Sequence, residues 1–152
     1  MKGNGWVKIT KTFRFDMSTL TATSTWPPAG SFGGGTNSAA MLIEMARRNV
    51  RPDLIMFADT GGELPETYQF VKDVSAWLEA HDLPAVTWVR YEKETLEENC
   101  LRQNMLPSLA YGFKGCSQKY KIQPQNKYAN NWQPAKDAWR AGGKVVKLIG
   151  YD

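Results

Sequence analysis

Ser31-Phe32-Gly33-Gly34-Gly35-Thr36-Asn37-Ser38 sets three consecutive glycines among hydroxyl side chains, directly before the helix-like run Ala39-Ala40-Met41-Leu42-Ile43-Glu44-Met45-Ala46. Glycine takes backbone conformations closed to other residues and lets a ligand come close, and small polar residues favour a helix start. The first amide protons of such a helix have no partner inside it, and its dipole is positive at that end. A phosphate or sulfate placed there satisfies both. The stretch is not a Walker loop, because no Lys-Ser or Lys-Thr follows the glycines. Nor is it the dinucleotide fingerprint, because Ser38 stands where the third glycine would be. Taken alone, it fits an anion site and, equally, a turn that only joins a strand to a helix.

Two further stretches carry groups suited to the same chemistry. Asp59-Thr60-Gly61-Gly62-Glu63-Leu64-Pro65-Glu66-Thr67 follows the apolar run Leu54-Ile55-Met56-Phe57-Ala58. Cys116-Ser117-Gln118-Lys119-Tyr120-Lys121-Ile122-Gln123-Pro124 brings a thiol and two lysines together. In this order the three stretches resemble the PP-loop superfamily of adenine-nucleotide enzymes, in its phosphoadenosine phosphosulfate (PAPS) reductase branch and the neighbouring ATP pyrophosphatases. That family has a Ser-Gly-Gly-x-Asp-Ser type loop that cradles phosphate. A strand ending in Asp-Thr-Gly then leads to Pro-Glu-Thr at a helix start, and a Cys-Cys-x-x-x-Lys-x-x-Pro segment follows. The resemblance runs from Ser31 to Pro124.

The resemblance implies a Rossmann-like α/β fold of the adenine nucleotide alpha hydrolase type, with an adenine nucleotide, PAPS or ATP, as substrate. It implies that Ser31, Gly33, Gly34, Gly35, Thr36, Asn37 and Ser38 surround the phosphate or sulfate end, and that Asp59, Thr60 and Gly61 line the same cleft. Lys121 matches the family's lysine and would supply positive charge, with Lys114 and Lys119 beside it. In a water-poor cleft such a charge stabilises a leaving pyrophosphate or sulfite. Two departures qualify the activity. Asn37 stands where ATP pyrophosphatases commonly have Asp, which weakens a magnesium role at that point while leaving magnesium with the nucleotide open. Sulfonucleotide reductases attack sulfate with a thiolate from a Glu-Cys-Gly-type tail, and this sequence reaches Tyr151-Asp152 without one. Cys116 is then the candidate thiol near the cleft, although it matches a cluster-ligand position; Lys119 or Lys121 would favour its thiolate, and the alternative is a structural cysteine.

Three functions therefore stand side by side. The first is a PAPS reductase-like enzyme lacking its tail, with a thioredoxin-like reductant as partner. The second is an ATP pyrophosphatase that adenylates a nucleic acid or a small molecule, and the third is a nucleotide-binding module without catalysis. An oligomer is compatible with each.

Composition sets the outer bounds. A chain of 152 residues, 42% hydrophobic and 22% charged, fits one core, with residues 1–30 as an N-terminal strand segment and 31–152 as the nucleotide-binding domain. No apolar run approaches the roughly 18 residues of a membrane span, and the N-terminus has no signal-peptide core, which points to the cytoplasm. Cys100 and Cys116 are the only cysteines and His81 the only histidine. That is too few for a disulfide framework or a zinc site, and one copy cannot hold a four-thiolate iron–sulfur cluster. From Tyr111 onward eight Lys and Arg face two Asp, against eleven basic and thirteen acidic residues before it. The basic last third suits a nucleotide or nucleic acid, or is a solvated surface.

The elements that must position these groups follow from periodicity. Residues 6–15 alternate as an amphipathic strand, and 19–26 suit another. Pro27-Pro28-Ala29-Gly30 interrupts the place where the family has apolar strand, predicting a first central strand that is earlier or irregular. Helices are expected over 37–49, 65–81, 95–106 and 134–141, and strands over 54–58, 85–91 and 144–150. His81 at a helix end is expected to cap carbonyls, Trp77 and Cys100 to pack, and 107–115 to form a loop. Strands alternating with helices imply a doubly wound, mostly parallel sheet with helices on both faces and ligands beyond its carboxyl edge.

Overall fold

The computed structural model describes residues 6–9, 26–106 and 115–150. Five strands, β1 (Trp6–Ile9), β2 (Pro28–Phe32), β3 (Leu54–Asp59), β4 (Val86–Arg90) and β5 (Val145–Ile149), form one parallel sheet in the order β1-β5-β2-β3-β4. The fold is a Rossmann-like α/β sheet with helices on both faces, as the alternation of elements requires.

Each face has its own packing chemistry. Against one lie α1 (Thr36–Arg47) and α2 (Pro65–Ala80), whose Leu42, Met45, Val71 and Leu78 join Phe32, Ile55 and Phe57 of the sheet. Against the other lie α5 (Gln123–Asn131) and α6 (Gln133–Arg140), where Ala129 and Ala135 meet Ala29, Leu54, Met56 and Val145. Alanine on both sides of that layer lets the helices come close to the strands, and Trp132 and Trp139 close its margin. All six residues of β3 are buried, the pattern of a strand covered on both faces. In the chain, β4 is followed by α3 (Leu96–Gln103) and then α4 (Gly115–Ser117), the latter continuing through a π-helical turn, Gln118–Ile122, into α5.

The proline pair does not displace or distort the first central strand. Pro28 opens β2, where a missing N–H costs little, and the proline carbonyls still accept, from Asp53 N at 2.9 Å and from Val146 N at 3.2 Å. A division between residues 30 and 31 falls inside β2. The amphipathic strand is seen as Trp6–Ile9, paired with β5; residues 10–15 and 19–25 lie outside the described part, as do 107–114, which include Lys114. Helix α3 is shorter than expected, because Asn104 turns left-handed (φ 51) and ends it. Residues 125–133, polar and Asn-rich and read as either a connection or a short helix, are helical from Gln123 to Asn131, and the next helix opens at Gln133. His81 caps α2, its Nδ1 lying 2.7 Å from the Trp77 carbonyl, and Trp77 packs on the core.

Chain order decides where the cleft lies. From β2 the chain steps outward through β3 and β4, then returns past β2 to β5. Right-handed crossovers then put α1 and α2 on one face and the return segment on the other, opening a crevice beyond the carboxyl ends of β2 and β5. Gly150, just after β5, borders it. A Cβ there would lie 2.9 Å from Ser38 Cα and 3.0 Å from the Asn37 carbonyl, so glycine lets the strand end pass against the first turn of α1.

Candidate functional site

The glycine loop has one packed wall and one open wall. Gly34 is left-handed (φ 74), and a Cβ on it would meet the Phe57 ring at 3.0 Å and Thr67 Cγ2 at 3.2 Å. Ser38 binds the loop to itself: Gly33 N donates to its Oγ at 3.1 Å, and that Oγ donates to the Gly35 carbonyl at 2.9 Å. Gly35, the N-cap of α1, is extended (φ −111), and a Cβ there would meet none of the described residues within 4 Å. Among the described residues no side chain caps this helix. Its first turn, from Thr36 through Asn37 to Ser38, therefore presents a positive pole beside open space.

Ser31 is directed elsewhere. It lies on the α5 face of β2, and its hydroxyl donates to Gln125 Oε1 at 2.8 Å. Gln125 is buried, so this contact ties the helical segment that carries Lys121 to the strand that carries the glycine loop.

Asp59, at the end of β3, is held through both carboxylate oxygens. Oδ1 accepts from Gly61 N and from the Tyr68 hydroxyl, both at 2.8 Å. Oδ2 accepts from Arg90 Nε at 3.1 Å and from Arg90 Nη2. Burial alone would raise the Asp59 pKa; Arg90, the Gly61 amide and Tyr68 outweigh it and hold the carboxyl below its ordinary 3.8. Tyr68 is itself fixed by stacking on Trp88 at 6.0 Å. The next residues are equally held. Gly61 is left-handed (φ 75), with a would-be Cβ 2.5 Å from Thr95 Cγ2, and Thr60 O accepts from Leu96 N at 2.8 Å. Thr95 and Glu98 form a capping box on α3, so that helix start anchors the Thr60-Gly61 turn.

The third stretch reaches this turn through charge. Lys121 Nζ lies 3.1 Å from Glu63 Oε1, which also accepts from Thr60 Oγ1 at 3.2 Å. Lys119 Nζ lies 2.6 Å from Glu94 Oε1; Asn99 and Arg102 bond the same carboxylate. Lys119, first, then Arg102 and Asn99 against opposing desolvation, lower the Glu94 pKa to about 2. Both lysines belong to the π-helical turn, whose looser winding around buried Tyr120 is a feature often found at functional sites. Cys116 sits in α4 at the head of this segment and Cys100 in α3; both are free thiols of intermediate exposure, so Cys100 is packed only in part.

Glu94 supplies a test by acid. A carboxylate whose folded pKa lies below its unfolded 4.5 adds stability that is complete above that value and is lost as pH falls toward about 2. Glu94→Gln is expected to flatten the loss of stability between about pH 4.5 and 2, read as urea midpoints at stepped pH. An acid limb unchanged by the substitution would remove Glu94 from this role.

The three sequence stretches thus meet at the carboxyl edge, with Lys121 linked to the Asp59–Glu63 turn and Ser31 to α5. Sequence reasoning did not single out Arg90, Tyr68, Glu63, Glu94 or Gln125. Of these Arg90 left a trace, a charge ending an otherwise sheet-forming run at the edge where ligands bind. Both carboxylates of the turn, Asp59 and Glu63, are bonded to cationic side chains. Among the described residues no three His, Cys, Asp or Glu converge as metal ligands, and no helix is long and apolar enough to cross a membrane. A groove at the amino edge is lined by Trp26, Pro27, Pro28, Asp53 and residues of α6. None of the motif residues lines it.

Comparison with known proteins agrees with this geometry. No curated protein matches the chain. A family model described as the phosphoadenosine phosphosulfate reductase domain matches residues 27–144, from the opening of β2 to the last residue before β5, and so takes in all three stretches. The chain belongs to that family, the PAPS reductase-like branch of the PP-loop superfamily.

Proposed function

We propose that this chain binds an adenine nucleotide at the carboxyl edge of its sheet and acts on the phosphate or sulfate end as a PAPS reductase-like enzyme. The observation that carries the reading is the glycine loop. Its inner wall is packed at Gly34, its outer wall is open at Gly35, and the helix start beyond it has no side-chain cap. Backbone amides from Gly34 to Ser38 would receive the anion, with the Thr36 hydroxyl as a further donor and the Gly33 amide holding the loop through Ser38. Ser31 and Ser38 shape the loop through their own hydrogen bonds, Asp59 and Thr60 hold the facing turn, and Lys121 brings the mobile positive charge.

The test is calorimetric titration with ATP, PAPS and adenosine bisphosphate, followed by assays for sulfite with a dithiol reductant and for pyrophosphate. Binding of PAPS with sulfite release is the expected result. Pyrophosphate release from ATP would move the assignment to an ATP pyrophosphatase, and binding without turnover to a nucleotide-binding module. Failure of all three nucleotides to bind would overturn the reading.

A further inference from the structure

Three basic side chains flank the cleft, and each is matched to a carboxylate of the chain itself: Arg90 to Asp59, Lys119 to Glu94, Lys121 to Glu63. The three pairs are not equally firm. Arg90 grips Asp59 through two nitrogens, while Asp59 is fixed further by Tyr68 and the Gly61 amide. Glu94 holds Lys119 at 2.6 Å within a network that includes Arg102 and Asn99, and Lys119 also lies 5.0 Å over the rings of Tyr91 and Tyr120. Among the described residues Lys121 has one ionic partner, Glu63, at 3.1 Å, and its side chain is 44% exposed.

The two ends of this last pair differ in freedom. Glu63 is anchored: Thr60 Oγ1 donates to its carboxylate, and its backbone N–H reaches the Tyr68 hydroxyl at 3.4 Å. Thr60 is buried, and Tyr68 is bonded to Asp59, so the anchors are rigid. Lys121 is a flexible ammonium on the exposed side of a π-helical turn. Of the two, the lysine is the one that can move.

We propose that Glu63 is an internal anion that competes with the ligand for Lys121. This rests on the reading of the cleft as a nucleotide site and deepens it. Without ligand, Glu63 holds Lys121 over the Asp59–Glu63 turn. A phosphate or sulfate entering at α1 must draw the ammonium away and also tolerate a fixed carboxylate nearby. Glu63 thereby sets a charge threshold: multiply charged phosphate or sulfate ends can recruit Lys121, whereas carboxylates and neutral nucleosides cannot. Exchange moves only a side chain, because Thr60 keeps Glu63 in place after Lys121 leaves.

Glu63→Gln tests this, since the amide still accepts from Thr60 Oγ1 while the charge is lost. An exposed ion pair is weak, so breaking it opposes the ligand only modestly, and removing a like charge beside the ligand adds to the gain. ATP and inorganic pyrophosphate, titrated in low salt, are expected to bind Glu63→Gln about three- to ten-fold more tightly than the parent protein. The gain should shrink as salt is raised. In a Lys121→Met background the same substitution should give a clearly smaller gain, because the competition is then absent. Affinity that is unchanged or weakened in Glu63→Gln, or an equal gain in both backgrounds, would overturn the proposal while leaving the nucleotide site intact. If neither the parent nor the variant binds either probe, this proposal is overturned, and the nucleotide site falls with it only if PAPS and adenosine bisphosphate also fail to bind. Binding by the variant alone would support it most directly.

Discussion

Asp59→Ala is expected to cost about 2–3 kcal/mol of folding stability, read as a lowered urea midpoint, whether or not a nucleotide is present. Its carboxylate is nearly buried and accepts from the Gly61 amide, the Tyr68 hydroxyl and Arg90. Removing one partner of a fully buried pair costs about 3–5 kcal/mol, because the other charge is stranded. The Arg90 side chain is 55% exposed and can turn to water, so the figure is discounted to the level of lost hydrogen bonds to a charged group. The acid dependence follows with a definite sign. The Asp59 carboxyl is held below its ordinary 3.8, so its contribution is complete above that pH and declines as the carboxylate is protonated. Asp59→Asn should therefore differ most from the parent near neutral pH and least in acid. If Asp59→Asn instead kept full stability and lost only nucleotide affinity, the carboxylate would belong to the ligand and not to the fold.

The same pair shows how much of the site can be read from the chain. Asp59 is legible because it ends an unbroken apolar run, and such runs in alternating α/β sequences deliver their last residue to the carboxyl edge. Arg90 is not, because its partner is set by the register of β3 with β4, which puts these two residues opposite each other. No local pattern encodes that register. The pairs of Lys121 with Glu63 and of Lys119 with Glu94 likewise join segments far apart in the chain.

Fold legibility follows the same division. Helices α1 and α2 show in the sequence because large apolar side chains recur at helical spacing and meet large partners. Helix α5 buries Pro124, Gln125 and Ala129, a small and partly polar contact face without an apolar stripe. It reads no more strongly as a short helix than as a connection because alanine-on-alanine packing needs closeness, not bulk. At Pro27-Pro28 the expectation of disturbance weighs the missing N–H groups and overlooks the carbonyls. Those still bond to the start of β3 and to β5, and a strand's first residue can do without its N–H.

The loop itself offers the sharpest separation of fold from function, at two adjacent glycines. Gly34→Asp confounds them: its left-handed backbone and its contacts with Phe57 and Thr67 mean that any side chain there strains the protein before a ligand is considered. Gly35→Asp does not. The backbone at Gly35 is extended and the space beyond it is open, and Asp is a favoured N-cap, so its carboxylate can accept from the amides of the first turn of α1. Relative to Gly the cap is worth a few tenths of a kcal/mol, and a negative charge at the positive pole adds about 0.3–1 kcal/mol. The expected result is a melting temperature equal to or slightly above that of the parent, with nucleotide affinity reduced about 100-fold or more. A loss of that size corresponds to two charge-assisted hydrogen bonds at about 1.5–3 kcal/mol each, taken up by the new side chain. Paired thermal melts and calorimetric titrations measure both quantities on one preparation. A variant that is stable and no longer binds places the anion on the α1 amides, because the substitution imitates the ligand there and disturbs nothing else. A variant that is stable and binds as before shows that these amides are not the anion site, and the ligand must then be held by Lys121 and the β3 turn without them.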